Sequence, residues 1–419
     1  MKSDGGGAGR YRFLVISLVW LAFFLGAFDR SNVSLLLVDP GFLREMGLES
    51  SPERQGLVMT MLLFPYALSN IFLSPSVDRW GPRRVLTLMT GLWAAVALLM
   101  GTASSYLVLL AGRSARGLAE GPLFPVANRT VRYWFPPSER GLANAIWTSG
   151  QRVGLALSVP VLTFTIAALG WRFSFFLQSA LVAATVCPAL WFLMGDRPEV
   201  TRRVGEKEIH YITQWRRDEQ GKPAQWRHDL PLLLGNYRYW LMVTYHLGLL
   251  AVYYGMITWL PKYLKEGRGF DAAHLVVFAT LPHVAAAIAS ILFGALSDRF
   301  PRLAAFCVVG LGGAGISVCV AALAPDPTVS AALMVLGFGF WGMGSPSYYA
   351  IMQRIIPGNI MATGIGIDNG LANLGSAIVP TLVGLLVGAT GSYLAGLLLI
   401  AGLGVAGSLA ALALAVQKY

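Results

Sequence analysis

Charge is scarce in this chain. Only 13% of its 419 residues are Asp, Glu, Lys or Arg, about half the share of an ordinary soluble domain. Cysteine is scarcer still: Cys187, Cys307 and Cys319 all fall within apolar runs, where they read as small packing residues and not as a disulfide framework. No metal-ligand spacing, nucleophile elbow or phosphate-cradling loop occurs, so neither an enzyme nor a metal or other cofactor is expected. No nucleic-acid module accompanies the net charge of +11.

Apolar sequence is abundant at 55%. Runs long enough to cross a bilayer recur at 12–37, 54–76, 83–103, 106–128, 142–168, 172–194, 236–262, 272–297, 301–323, 328–355, 361–387 and 391–416. They predict an all-α membrane protein of twelve transmembrane helices. Placing both termini in the cytoplasm leaves only Arg44, Arg54, Arg172, Lys262, Lys265 and Arg268 outside, against a large excess of Lys and Arg inside. The positive-inside rule therefore sets a multi-pass orientation and accounts for the basic balance.

The chain divides into a Gly-rich tail at 1–11, expected to be disordered and cytoplasmic, a first six-helix bundle at 12–194, a charged cytoplasmic linker at 195–235 and a second bundle at 236–416. The halves repeat. SVDRWGPRR follows the second span and GALSDRFPRL the eighth, setting Asp78-Arg79 against Asp298-Arg299. Such repeats build many transporters, with the substrate site near the midplane.

Asp78, Arg79, Gly81 and Arg83 spell Asp-Arg-x-Gly-x-Arg, which resembles the loop signature of the major facilitator superfamily. Ser74 stands where that signature usually has Gly. The resemblance implies two pseudo-symmetric six-helix bundles and a gating role for Asp78 and Arg79, and for their repeats Asp298 and Arg299.

Function should reside where charge sits inside a span, because each such group costs about 2.5–3.5 kcal/mol on insertion scales if it faces lipid. Asp29, Arg30, Arg113, Arg116, Glu120, Arg152 and Asp368 are those groups. Asp29 and Arg30 are adjacent and point roughly 100° apart on a helix, so one can face a cavity while the other pairs. Arg113, Arg116 and Glu120 share a helix face. Pairing of Arg116 with Glu120 would leave Arg113 free for a substrate carboxylate, which its planar fork matches. Gln151 lies beside Arg152 at mid-depth and suits hydroxyls or a carboxylate.

The DRxNxS stretch of the first span, with Arg113 and Glu120 seven positions apart, is similar to the anion:cation symporter branch of the superfamily, which holds bacterial sugar-acid transporters, sialin and vesicular glutamate carriers. That resemblance implies Arg113 on the substrate carboxylate, Asp29 and Glu120 as proton carriers, and a Gly- and Asn-rich eleventh helix. Arg30, Arg116, Arg152 and Asp368 are then charge partners. Tyr66, Tyr253, Tyr254, Asn369 and Asn373 complete the candidate substrate set, with helix packing the equal alternative for the asparagines. His246 and His283 have no assigned role, and Trp259 reads as a membrane-interface anchor.

The expected function is proton-coupled symport of a small organic anion, a carboxylate or sugar acid, by a monomer in a bacterial inner membrane. Its partners are the anion, protons and the lipid bilayer. An organophosphate or organic-anion antiporter or exporter of the same fold is one alternative, and a non-transporting membrane anion receptor another.

Overall fold

The computed structural model describes residues 9–36, 39–48, 52–214, 226–297, 299–300 and 302–417. Among these the chain is wholly helical. In order run α1 Tyr11–Leu36, α2 Pro40–Glu45, α3 Pro52–Trp80, α4 Pro82–Gly101, α5 Tyr106–Glu120, α6 Leu123–Trp134, α7 Arg140–Leu169, α8 Trp171–Leu181, α9 Cys187–Leu193, α10 Glu206–Thr213 and α11 Trp226–Leu234. There follow α12 Tyr237–Lys262, α13 Ala272–Ser297, α14 Leu303–Leu323, α15 Pro327–Ile355, α16 Met361–Ser376, α17 Val379–Thr390 and α18 Tyr393–Ala415. One turn of π-helix, Val182–Val186, joins α8 to α9.

Nine helices among the described residues are long and apolar enough to cross a membrane. The expected spans 54–76, 106–128 and 361–387 are not among them. The second is interrupted at Gly121-Pro122 and the third at Ala377-Ile378, and all three carry polar groups facing protein. These helices are polar because of what they enclose.

Two compact units result, residues 1–230 with 356–370, and residues 231–355 with 371–419. The division falls inside α16. In the first unit α1 packs on α7, α3 on α5, and α4 on α8 and α5. In the second, α14 packs on α15 and α18, α13 on α15, and α12 on α18.

Local chemistry explains the helix starts. Asp39 accepts from the Phe42 N–H at 2.7 Å and Pro40 opens α2. Ser392 caps α18 in the same way. The backbone N–H groups of Tyr11 and Arg12 both donate to Glu208 of α10, each at 3.1 Å, so the linker caps the first helix. Arg12 also bonds Glu139 at 2.8 Å, and Tyr211 donates to Glu139 at 2.9 Å. The tail at 1–8 and linker positions 215–225 lie outside the described residues.

The loop signature has a steric reading. Gly81 has φ +89°, and a Cβ there would collide with the Asp196 carboxylate, which accepts the Arg83 N–H at 2.9 Å. Only glycine suits that backbone and that space. Ser74, the departure from the signature, donates to the Asn70 carbonyl, and its side chain fills the position a Cβ on Gly366 would need. The serine thus packs against a backbone that has no side chain to oppose it.

Candidate functional site

The first unit gathers the intramembrane charges around α1 and α5. Asp29 and Arg30, adjacent on α1, both find partners on α5 but different ones. Arg113 Nη1 lies 2.7 Å from Asp29 Oδ2, and Arg113 Nε donates to the Val58 carbonyl at 3.3 Å. Arg30 Nη2 lies 2.6 Å from Glu120 Oε1. Between the two pairs stands Arg116, 3.6 Å from Asp29 and 4.0 Å from Glu120, its guanidinium 4.2 Å from the centroid of the Trp93 ring. The cross-pairing follows from the roughly 100° between successive helical side chains.

Two expectations change here. Arg113 is not the free arginine; it is fully buried against Asp29. Arg116 is not the principal partner of Glu120, which Arg30 holds at the shorter distance. The reason is reach across the interhelical gap, which sequence spacing along one helix does not report. An apolar cluster including Val33, Leu36, Val58, Leu109, Leu110 and Phe175 packs next to these pairs, since Val33 is one turn beyond Asp29 and Leu109 one turn before Arg113. It keeps water from that side of the Asp29–Arg113 pair. Of the three arginine side chains, Arg30 is 20% exposed against 0% for Arg113 and 4% for Arg116.

A hydrogen-bonded amide and phenol set adjoins Arg30. The guanidinium lies 5.7 Å from the Tyr66 ring centroid. Asn369 Nδ2 donates to Tyr66 Oη at 3.0 Å and to Asn70 Oδ1 at 2.7 Å, while Asn70 Nδ2 donates to the Tyr66 carbonyl at 2.9 Å. Gln151 on α7 is partly exposed; Arg152 and Asp368 are buried.

Further along α3, Asp78 accepts from Arg129, from the backbone N–H groups of Ala362 at 3.1 Å and Thr363 at 2.8 Å, and from the Thr363 hydroxyl at 2.7 Å. A carboxylate from α3 therefore satisfies the first turn of α16, where the helix dipole favours negative charge. Arg79 and Arg299 are exposed, and Asp298 lies outside the described residues.

In the second unit Tyr254 donates to Asn373 Oδ1 at 2.8 Å, and Tyr253 stacks on Trp341 at 5.2 Å between centroids. His246 Nδ1 is 2.9 Å from Tyr348 Oη, and His283 meets Phe338 edge-on. Trp259 donates to the Pro380 carbonyl at 2.9 Å. Asn369 and Asn373 share a helix face yet serve different units.

Sequence reading missed Asn70, Trp93 and the Glu208 cap. Asn70 had a signal, being one turn after Tyr66 with Ser69 and Ser74 nearby. Trp93 had none, because an aromatic in an apolar span looks like any other.

A helical chain with apolar membrane-length segments and a paired charge cluster held inside them defines a membrane transport protein. The chain belongs to the Major Facilitator Superfamily, whose sequence profile matches residues 19–380 and 277–419; it is a transporter and not an enzyme. A probable sulfoacetate transporter of Cupriavidus necator is 32% identical, over 91% of this chain and 89% of that protein. The D-galactonate transporter of Escherichia coli is 27% identical over 90% of each, and the hexuronate transporter of Bacillus subtilis 26% identical over 94% and 93%. Among solved structures, the proton:xylose symporter XylE has the same fold at a TM-score of 0.80 and 14% identity, covering 95% of this chain and 94% of that one.

Proposed function

We propose that the protein carries a small organic anion, bearing a carboxylate or sulfonate, together with protons across a bacterial inner membrane by alternating access. The observation that carries the reading is the contact of the partly exposed Arg30 with Glu120. Glu120 and a substrate anion compete for one guanidinium. Protonating Glu120 removes its charge and frees Arg30 for the anion, so proton and substrate each promote the other's binding, as reciprocal linkage requires. Arg30 is therefore the substrate anchor in this reading, in place of Arg113, with Tyr66, Gln151 and Asn369 as nearby hydrogen-bonding groups. Asp29 is the second proton carrier, with Arg113 and Arg116 as its charge partners.

Several relatives transport sugar acids or sulfoacetate by name, which supports an anionic substrate. Asp78 is read as a gate residue, holding the first turn of α16 in one state and releasing it in the other. Both termini are placed in the cytoplasm by the distribution of Lys and Arg.

The test is purified protein in proteoliposomes, with ligands first chosen by thermal shift against sugar acids, sulfonates and dicarboxylates. Uptake that responds to an imposed proton gradient, and that Arg30→Ala abolishes together with ligand-induced stabilisation, is the expected result. Full binding and uptake by Arg30→Ala would defeat the assignment.

A further inference from the structure

The first unit buries several side-chain polar atoms that have no hydrogen-bond partner among the described residues. Asn32 is fully buried, and neither its Oδ1 nor its Nδ2 has a hydrogen-bond partner. Asp29 lies three residues earlier on the same side of α1; its Oδ2 takes both arginines while its Oδ1 takes no hydrogen bond. On α5, Arg113 Nη2 and Arg116 Nη1 are likewise buried without an acceptor. The Trp93 indole N–H, on the ring that Arg116 covers, is also buried without an acceptor. Trp93 in turn sits against α1, 3.7 Å from where a Cβ on Gly26 would be.

Leaving such atoms unsatisfied costs about 1–3 kcal/mol each, so the chemistry of the group identifies its occupant. It offers two acceptors, Asp29 Oδ1 and Asn32 Oδ1, among donors from Asn32, Trp93, Arg113 and Arg116. An anion would meet the Asp29 carboxylate and a metal cation would meet two guanidinium groups. Water both donates and accepts, and a buried water is held by about two to four such partners.

We propose that Asp29, Asn32, Arg113 and Arg116 form an internal water site, edged by Trp93, and that its water delivers the coupling proton to Asp29 Oδ1. The delivery role rests on the reading of Asp29 as a proton carrier. Oδ2 accepts from Arg113 at 2.7 Å and faces the Arg116 guanidinium at 3.6 Å, so a new O–H bond forms at Oδ1. The bound water gives one proton to Oδ1 as it accepts another from a hydronium arriving from solvent; Asp29 becomes a neutral acid and the water is regenerated. The charged groups around Asp29 are Arg113 and Arg116 on α5 and Arg30 on its own helix; α7, which packs on α1, carries Arg140 in its first turn and Arg152 further along. Those of α4 and α8 are confined to their first turns at Arg83, Arg84 and Arg172, and α6 carries Arg129 and Arg132 in its later half. Asn32 matters because it alone supplies both a donor and an acceptor without carrying charge.

The experiment joins two readouts on full-length protein. Radiolytic footprinting in isotopically labelled water reports whether Trp93, buried from bulk solvent, stands beside water. In proteoliposomes, substrate counterflow, which needs no net proton movement, is compared with gradient-driven uptake in Asn32→Leu and Asn32→Ser. The proposal expects labelled oxygen on Trp93 of the wild type and much less in Asn32→Leu. It also expects gradient-driven uptake by Asn32→Leu to fall by about a hundredfold, the scale of a lost proton-transfer path, with counterflow close to wild type and much of the uptake restored by Asn32→Ser. Absence of label on wild-type Trp93 overturns it. So does unchanged uptake by Asn32→Leu, or an equal fall of counterflow and uptake that Asn32→Ser does not relieve. A wild type indifferent to the proton gradient overturns the coupling reading, and with it the delivery role. That failure is recognisable because Trp93 labelling does not depend on coupling.

Discussion

Arg30 and Glu120, 90 positions apart in the chain, are joined at 2.6 Å, with the carboxylate buried and the guanidinium partly open. An ion pair exposed on only one member is a natural point of competition. In the proposed mechanism a bound anion replaces the carboxylate on the arginine, whereas neither partner of the Asp29–Arg113 pair is open to it.

The first prediction separates the arginines. Arg30→Ala and Arg30→Lys should both weaken ligand binding by thermal shift, since a lysine lacks the planar fork. The expected loss from Arg30→Ala is about 2–5 kcal/mol, the range for removing one partner of a buried charged contact.

Arg113→Ala should instead destabilise the fold. It leaves the buried Asp29 carboxylate with Arg116 alone, at 3.6 Å, so the cost approaches the roughly 3–5 kcal/mol of breaking a buried pair only as far as Arg116 fails to compensate. Pairing it with Asp29→Asn should recover much of the melting temperature, and a double variant no more stable than Arg113→Ala would argue against the pair as the cause.

Glu120→Gln is expected to retain substrate counterflow while losing accumulation driven by a proton gradient. The amide mimics the protonated acid and cannot titrate. Concentrative uptake by this variant under a pH gradient would show that Glu120 does not couple.

Asp78→Asn removes the charge that α16 receives at its first turn, a loss of about 1 kcal/mol by comparison with helix caps. Transport should fall, and a cysteine introduced at Thr363 should label faster from the cytoplasmic side in this background. Unchanged labelling would mean that the contact does not hold the gate.

Outside the membrane, hydrogen bonding from Arg172 first, and from Trp171 as well, holds the Glu45 carboxyl below its ordinary value of 4.5 despite partial desolvation. Lowering in the folded state means the contribution is complete above the unfolded value and fades as pH falls through the lower folded value. The side chain is 42% exposed, so the effect is small. The melting temperature of Glu45→Gln should lie slightly below wild type at neutral pH and converge with it in acid. A gap that persists unchanged at low pH would exclude Glu45 as its source.

Sequence alone determined that this is a helical membrane protein, and it singled out Asp29, Arg30, Arg113, Arg116 and Glu120 as charges lying inside its apolar runs. Apolar length and the insertion cost of charge are local properties, so they can be read residue by residue. The loop signature around Gly81 was legible for a similar reason: its glycine is demanded by one backbone angle and one neighbouring carboxylate. Which arginine meets which acid was not legible. Spacing along α5 suggested Arg116 with Glu120 and a free Arg113, but distances between helices set the pairing, and these depend on how α1 packs beside α5. The same holds for Asn369, Asn70 and Tyr66, brought together from distant segments, and for Asn32, whose lack of a hydrogen-bond partner among the described residues exists only once its neighbours are placed. Periodicity identifies the face a side chain occupies; tertiary packing decides what that face meets.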